Sequence, residues 1–212
     1  MNEEKESSSK KASAGISRRN FAIGAIGSIA ALGLGGFTFA ESKPVLRPPG
    51  GQSEVAFRGT CIHCEKCREI CPQTAIKPAM LETGITSFRT PQMDYRSGWC
   101  NFCADTPGGY PLCSKVCPVN AFKIPEGINP DRVVIGKAQI NPNWCLAYTA
   151  TGCHTCVDAC PYGAMGITED GIPYVIEDKC NGCGACEHAC ISLSAGSIAS
   201  GATDRAITVH PV

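Results

Sequence analysis

Residues 61–72 read Cys61-Ile62-His63-Cys64-Glu65-Lys66-Cys67-Arg68-Glu69-Ile70-Cys71-Pro72. The spacing C-x2-C-x2-C-x3-C sets three thiols on one tight loop, whose backbone amides can also hydrogen-bond to cluster sulfurs. The fourth, three residues on, is expected to start a helix and point away, toward the cluster of a partner quartet. The proline after it suits a helix start, because it fixes φ and removes an N–H that has no partner there. The pattern then recurs. Cys100, Cys103, Cys113 and Cys117, followed by Pro118, widen the middle gap to nine residues; Cys145, Cys153, Cys156 and Cys160, followed by Pro161, widen the first gap to seven. Cys180, Cys183, Cys186 and Cys190 return to the regular spacing but are followed by Ile191. These quartets use all sixteen cysteines of the 212-residue chain. They predict four [4Fe–4S] clusters, with every cysteine an iron ligand and no free thiol left for nucleophilic chemistry.

Two other uses of cysteine are weaker fits. Disulfides form outside the cytoplasm, yet cysteines two residues apart are badly placed to bridge, and disulfide scaffolds do not repeat one loop four times. Zinc ribbons use paired C-x2-C units, but a third cysteine at the same interval and a fourth before proline have no role in a tetrahedral site. Gly152, Gly182 and Gly184 are expected to let backbone approach a cluster closely.

Composition agrees with a small, metal-dependent fold. Aromatic residues make up 7% of the chain, and 23 Gly and 15 Pro imply many turns and few long elements. Short apolar segments follow each quartet: Ala75-Ile76, Ala121-Phe122-Lys123-Ile124, Ala164-Met165-Gly166-Ile167 and Gly196-Ser197-Ile198. Val133-Val134-Ile135 and Tyr174-Val175-Ile176 read as strands entering the third and fourth quartets. The expectation is an α+β fold over residues 60–212, built as two ferredoxin-like 2[4Fe–4S] modules whose stability depends on metal.

The N-terminal 40 residues differ. Ser17-Arg18-Arg19-Asn20-Phe21 precedes an uncharged, Gly- and Ala-rich stretch from Ala22 to Ala40, which looks like a twin-arginine export signal. That route moves folded cargo and so suits clusters inserted in the cytoplasm. Residues 1–40 are therefore expected to be a leader addressed to the Tat export machinery, and release is expected over retention as an anchor. Residues 41–59, with Pro44, Pro48, Pro49, Gly50 and Gly51, are expected to form an extended tether. Basic and acidic side chains number 19 each; the leader takes five of the former and three of the latter, so the remainder is slightly acidic. No basic surplus argues for nucleic acid. An oxidised cluster with four thiolates adds a net charge of roughly −2, so the loaded body is more acidic still.

With these residues in hand, the chain resembles the MauM/NapG family of periplasmic ferredoxin-type proteins nearly end to end. The resemblance rests on the twin-arginine leader, Leu46-Arg47-Pro48-Pro49-Gly50 before the first quartet, and the widened second quartet. It rests also on the early, isolated Cys145 and the closing Cys-x-Gly-Cys-Gly-x-Cys-Glu-x-x-Cys. It implies accessory electron transfer in the periplasm, from a membrane polyferredoxin or quinol-oxidising protein to a periplasmic redox acceptor. The pathway would be nitrate reduction or methylamine utilisation, with a maturation or accessory redox factor as the alternative role. Resemblance to four-cluster subunits of related reductases further implies that the first quartet pairs with the fourth and the second with the third. Cys71 would then join Cys180, Cys183 and Cys186, and Cys190 would join Cys61, Cys64 and Cys67. The short connection from Cys160 to Cys180 also permits pairing of the third with the fourth.

His63, His154 and His188 lie within quartets, where an imidazole near a cluster can couple its potential to pH, although a solvated loop side chain explains them as simply. Trp99 and Trp144 precede the first cysteine of a quartet and either shield a cluster or pack in the core. Lys66, Arg68 and Lys115 lie between ligands and either offset cluster charge or face water. No Ser-His-Asp set, paired carboxylates or phosphate-binding glycine loop is present. The sequence thus predicts an electron carrier with no small-molecule substrate of its own and no enzyme activity.

Overall fold

The computed structural model describes residue 19 and residues 21–30, 44–107, 111–125, 129–149, 152–195 and 201–212. The chain divides between Glu41 and Ser42 into two units. In the first, helix α1 runs over 21–30 and exposes Phe21, Ile23, Ile26 and Ile29. The rest of the expected leader, Arg18 included, lies outside the described residues. Among the described residues no helix is long and apolar enough to cross a membrane.

The second unit is mixed α and β, made of short pieces. Helices α2 (Glu54–Thr60), α3 (Lys66–Glu69), α4 (Leu112–Val116), α5 (Thr155–Asp158) and α6 (Ala185–Ala189) alternate with strands β1 (Ile76–Pro78), β2 (Pro91–Met93), β3 (Lys137–Ile140), β4 (Met165–Ile167), β5 (Pro173–Val175) and β6 (Ile207–His210). The strands form three antiparallel pairs, β1–β2, β3–β6 and β4–β5. Hairpin β1–β2 turns the chain back between the first and second quartets, and β4–β5 does so between the third and fourth.

The quartet helices do not begin at the fourth cysteine. Each contains the third one, Cys67, Cys113, Cys156 or Cys186, and is over when the fourth is reached. Cys117 and Cys190 cap α4 and α6 with extended backbone, at φ −71°, ψ 112° and φ −64°, ψ 122°. Three residues separate the third cysteine from the fourth, and a continuing helix would stack their side chains on one face; the extended cap sends the fourth elsewhere. The proline after it opens a turn instead of a helix. Thr74, Asn120 and Gly163 donate back to the carbonyls of Cys71, Cys117 and Cys160 at 3.2, 3.2 and 3.5 Å.

Other expectations change as well. Val133-Val134-Ile135 is not a strand: Ile135 donates to the carbonyl of Asn181 at 2.8 Å, and the strand begins at Lys137. Its partner is the C-terminal β6, where buried Ile207 and Val209 alternate with less buried residues. Of the segments that follow the quartets, Ile76 and Met165-Gly166-Ile167 enter strands. Ala121–Ile124 does not, and 196–198 lies outside the described residues.

Residues 44–59 are not an extended tether. Val45, Arg47, Pro48, Pro49 and Phe57 are buried, and α2 occupies the end of the segment. Leu46 accepts from Met93 N at 2.7 Å and Gly50 accepts from Lys123 N at 2.7 Å, so the segment pairs with the chain on both sides of the second quartet. Arg47 is 2% exposed. It grips both Glu54 oxygens at 2.6 and 2.7 Å, donates to Thr90 Oγ1 and the Pro91 carbonyl, and lies over the Phe57 ring at 5.2 Å. Phe57 in turn packs on Phe122 with ring centroids 5.1 Å apart.

Candidate metal centres

Four recesses in the second unit are each lined by four cysteines. Cys61, Cys64 and Cys67 share the first with Cys117, and Cys100, Cys103 and Cys113 share the second with Cys71. Cys180, Cys183 and Cys186 share the third with Cys160; Cys145, Cys153 and Cys156 share the fourth with Cys190. Every quartet thus gives three thiols to one recess and its last to the neighbour's, as its spacing predicts. The exchange, however, joins the first quartet with the second and the third with the fourth. This corrects the expected pairing of first with fourth and second with third. Hairpins β1–β2 and β4–β5 are the physical reason, because each folds one quartet directly onto the next.

The recesses follow one another. Helix α3, carrying Cys67, packs on α4, carrying Cys113, and α5 packs on α6 in the same way. Between the two pairs, Cys100 N donates to the carbonyl of Cys183 at 2.8 Å. Tyr95, fully buried, donates its hydroxyl to the Gly182 carbonyl at 2.5 Å in the same seam. The order along the body is therefore Cys61/64/67/117, Cys71/100/103/113, Cys160/180/183/186, Cys145/153/156/190. Cys64, at the first recess, is the one cysteine of the sixteen that is exposed.

The left-handed backbone that closes these loops comes from different residues in the two regular quartets. Gly182 and Gly184 have φ of 75° and 79°, and His63 and Glu65, at the same places in the first quartet, have φ of 56° and 60°. Gly182 and Gly184 line the third recess, and protein also closes on them: a Cβ on Gly182 would lie 2.4 Å from Gly136 backbone, and one on Gly184 would lie 2.2 Å from the Tyr95 ring. Gly152 has nothing within 4 Å of such a position.

The donor set fits an iron–sulfur cube. Each recess is lined mostly by apolar side chains around four thiols. Burial, followed by the charge of the neighbouring thiols, pushes Cys67 and Cys156 up to about 12. Burial together with Cys160 and Cys180 takes Cys183 to about 11, against backbone hydrogen bonds that pull the other way. Cys100, Cys113 and Cys186 are raised as well, chiefly by burial. Four such thiols ionise together near neutral pH only around a strongly cationic core. Among the described residues no three His, Cys, Asp or Glu side chains converge closely enough to hold a single metal ion. Amides already point at sulfur: Leu112 N to Cys103, Ala121 N to Cys117 and Ala164 N to Cys160, at 3.4, 3.3 and 3.3 Å.

Of the other residues singled out in the sequence, His63 lines the first recess. His154 is exposed and sits 3.3 Å from Asp158. His188 donates from Nδ1 to the Tyr95 carbonyl at 3.0 Å and is a clamp across the seam, not a solvated loop residue. Trp99 and Trp144 are partly buried, the latter packed beside Cys145, Ala147 and Ala206. Lys66, Arg68 and Lys115 are exposed; Lys66 and Arg68 also line the first recess, and Arg68 pairs with Glu65 at 3.1 Å. The sequence reading missed the structural role of Arg47, although Glu54 seven residues on was a signal for it.

Comparison with known proteins gives the same chemistry. Residues 58–81 match a 4Fe-4S binding domain and residues 149–192 a 4Fe-4S dicluster domain; neither segment includes the second quartet or Cys145. The chain is 33% identical over 174 residues to the ferredoxin-type protein NapG of Escherichia coli, covering 76% of this chain and 72% of that one. It is 32% identical to the methylamine utilization ferredoxin-type protein MauM of Paracoccus denitrificans, covering 83% and 84%. MauM of Methylobacillus flagellatus is also 32% identical, at 82% and 75% coverage. Cubane-ready thiol recesses and relatives of this similarity agree, and the chain belongs to the NapG/MauM family of ferredoxin-type iron–sulfur proteins.

Proposed function

We propose that this protein holds four [4Fe–4S] centres on its sixteen cysteines, in two ferredoxin-like modules, and conducts single electrons between two protein partners. The observation that carries this is the unbroken order of four four-thiol recesses in one body. When bound, each centre accepts and returns one electron. The chain's own contribution is to hold the four sites in series, to shield the inner ones with Tyr95, Phe102 and Trp99, and to bring one ligand, Cys64, to the surface as a port. No catalytic residue is assigned. The input is proposed to be a membrane polyferredoxin or quinol-oxidising protein. The output is a periplasmic redox acceptor, nitrate reductase-like or belonging to methylamine utilisation, reached after export of the loaded protein by the Tat machinery under Arg18 and Arg19.

Iron and acid-labile sulfide analysis of anaerobically reconstituted protein tests the reading. About sixteen irons per chain are expected, and a value near eight refutes four centres. Arg18→Lys with Arg19→Lys should hold the loaded protein in the cytoplasm; normal export of that variant refutes the leader.

A further inference from the structure

The fourth cysteine of a quartet receives its hydrogen bond in two ways. After Cys117-Pro118 and Cys160-Pro161 the turn delivers a backbone amide, that of Ala121 or Ala164, to the sulfur. Cys190 is followed by Ile191 and Ser192 instead. Ser192 is 2% exposed and stands with Oγ 3.3 Å from Cys190 Sγ, while the same oxygen accepts Ala206 N at 2.9 Å. An oxygen that accepts from an amide keeps its own O–H to give, and a ligating thiolate has only lone pairs to offer, so the hydroxyl donates to sulfur. In the same recess Thr155 Oγ1 stands 3.6 Å from Cys153 Sγ. Among the described residues no other recess brings a serine or threonine hydroxyl to a cysteine sulfur.

Reduction puts one more negative charge on a centre, with no covalent bond made or broken. Donors to its sulfurs favour that state over the oxidised one. We propose that Ser192 and Thr155 set the reduction potential of the centre held by Cys145, Cys153, Cys156 and Cys190, raising it through their hydroxyl bonds to Cys190 and Cys153. They are positioning residues, not ligands. The inference rests on the four-centre reading above.

The test is an anaerobic potentiometric titration, read by electron paramagnetic resonance, of wild type, Ser192→Ala, Thr155→Val, the double variant and Ser194→Ala. Ser194 is the control, since it is exposed and, among the described residues, its hydroxyl bonds the Ile191 carbonyl and no cysteine sulfur. One centre alone should shift, and downward. At its wild-type midpoint the reduced-to-oxidised ratio should fall about threefold in each single variant and about tenfold in the double, the latter being 59 mV for one electron. Ser194→Ala should shift nothing. Unchanged midpoints in both single variants at full iron content overturn the proposal; if Ser192→Ala loses iron, an unchanged Thr155→Val overturns it alone. A wild-type iron content near eight would instead condemn the four-centre reading, so the two failures are distinguishable.

Discussion

Gly184 and Glu65 hold the same place in two copies of one loop and have the same left-handed backbone, yet only one of them tolerates a side chain. Around Glu65 there is room for a side chain, and its carboxylate reaches Arg68 and Arg89 at 3.1 and 2.6 Å. Around Gly184 the Tyr95 ring fills the space a Cβ would need. Gly184→Ala combines overpacking with a disfavoured φ and should cost about 2–4 kcal/mol, seen as a lower thermal midpoint of the loaded protein. Glu65→Gly should leave that midpoint near wild type. That each quartet keeps three cysteines together and sends the fourth away was legible, because spacing is a local property of the chain. The reason for the glycines was not, since Tyr95 and Gly136 are far from them in sequence and nothing local announces their approach.

At the scale of elements, the segment before the first quartet shows how composition misleads. Three prolines and three glycines in nineteen residues suggest a linker, and residues 44–53 do lack regular structure. Such a composition does not preclude burial. Prolines 48 and 49 need no amide partners, so they can be buried beside Arg47 while Leu46 and Gly50 supply carbonyls to Met93 and Lys123. The Arg47–Glu54 pair then fastens the segment to α2 and β2. Glu54 is pulled in two directions: burial raises its carboxyl, but hydrogen bonds and charge from Arg47, with Arg58 added, win and hold it below its ordinary 4.5. A carboxyl that titrates lower in the folded protein than in the unfolded chain stabilises fully above the unfolded value and loses its effect as pH falls through the folded one. Arg47→Met should therefore cost about 1–3 kcal/mol at pH 7, less than for a fully buried pair because Glu54 is partly exposed. In thermal melts across a pH series, the gap between wild type and Glu54→Gln should hold from pH 7 downward and close below about pH 4.5. A gap independent of pH would mean that the Glu54 charge contributes nothing.

For the whole molecule, the sequence predicted α+β elements and quartets but left their pairing open, and the pairing favoured by resemblance was the wrong one. Four fourth cysteines all leave their loops alike, so nothing in a single quartet says which neighbour it completes. The decision belongs to the connections: β1–β2 and β4–β5 are antiparallel, and each returns the chain to the quartet it has just left. Iron counts on paired substitutions turn this into a measurement. Cys71 and Cys113 line one recess, so Cys71→Ser with Cys113→Ser should remove a single centre and leave about twelve irons of sixteen. Cys71→Ser with Cys186→Ser touches two recesses and should leave about eight. Were Cys71 instead a ligand beside Cys180, Cys183 and Cys186, the two results would change places, with the Cys71/Cys186 pair costing one centre and the Cys71/Cys113 pair costing two.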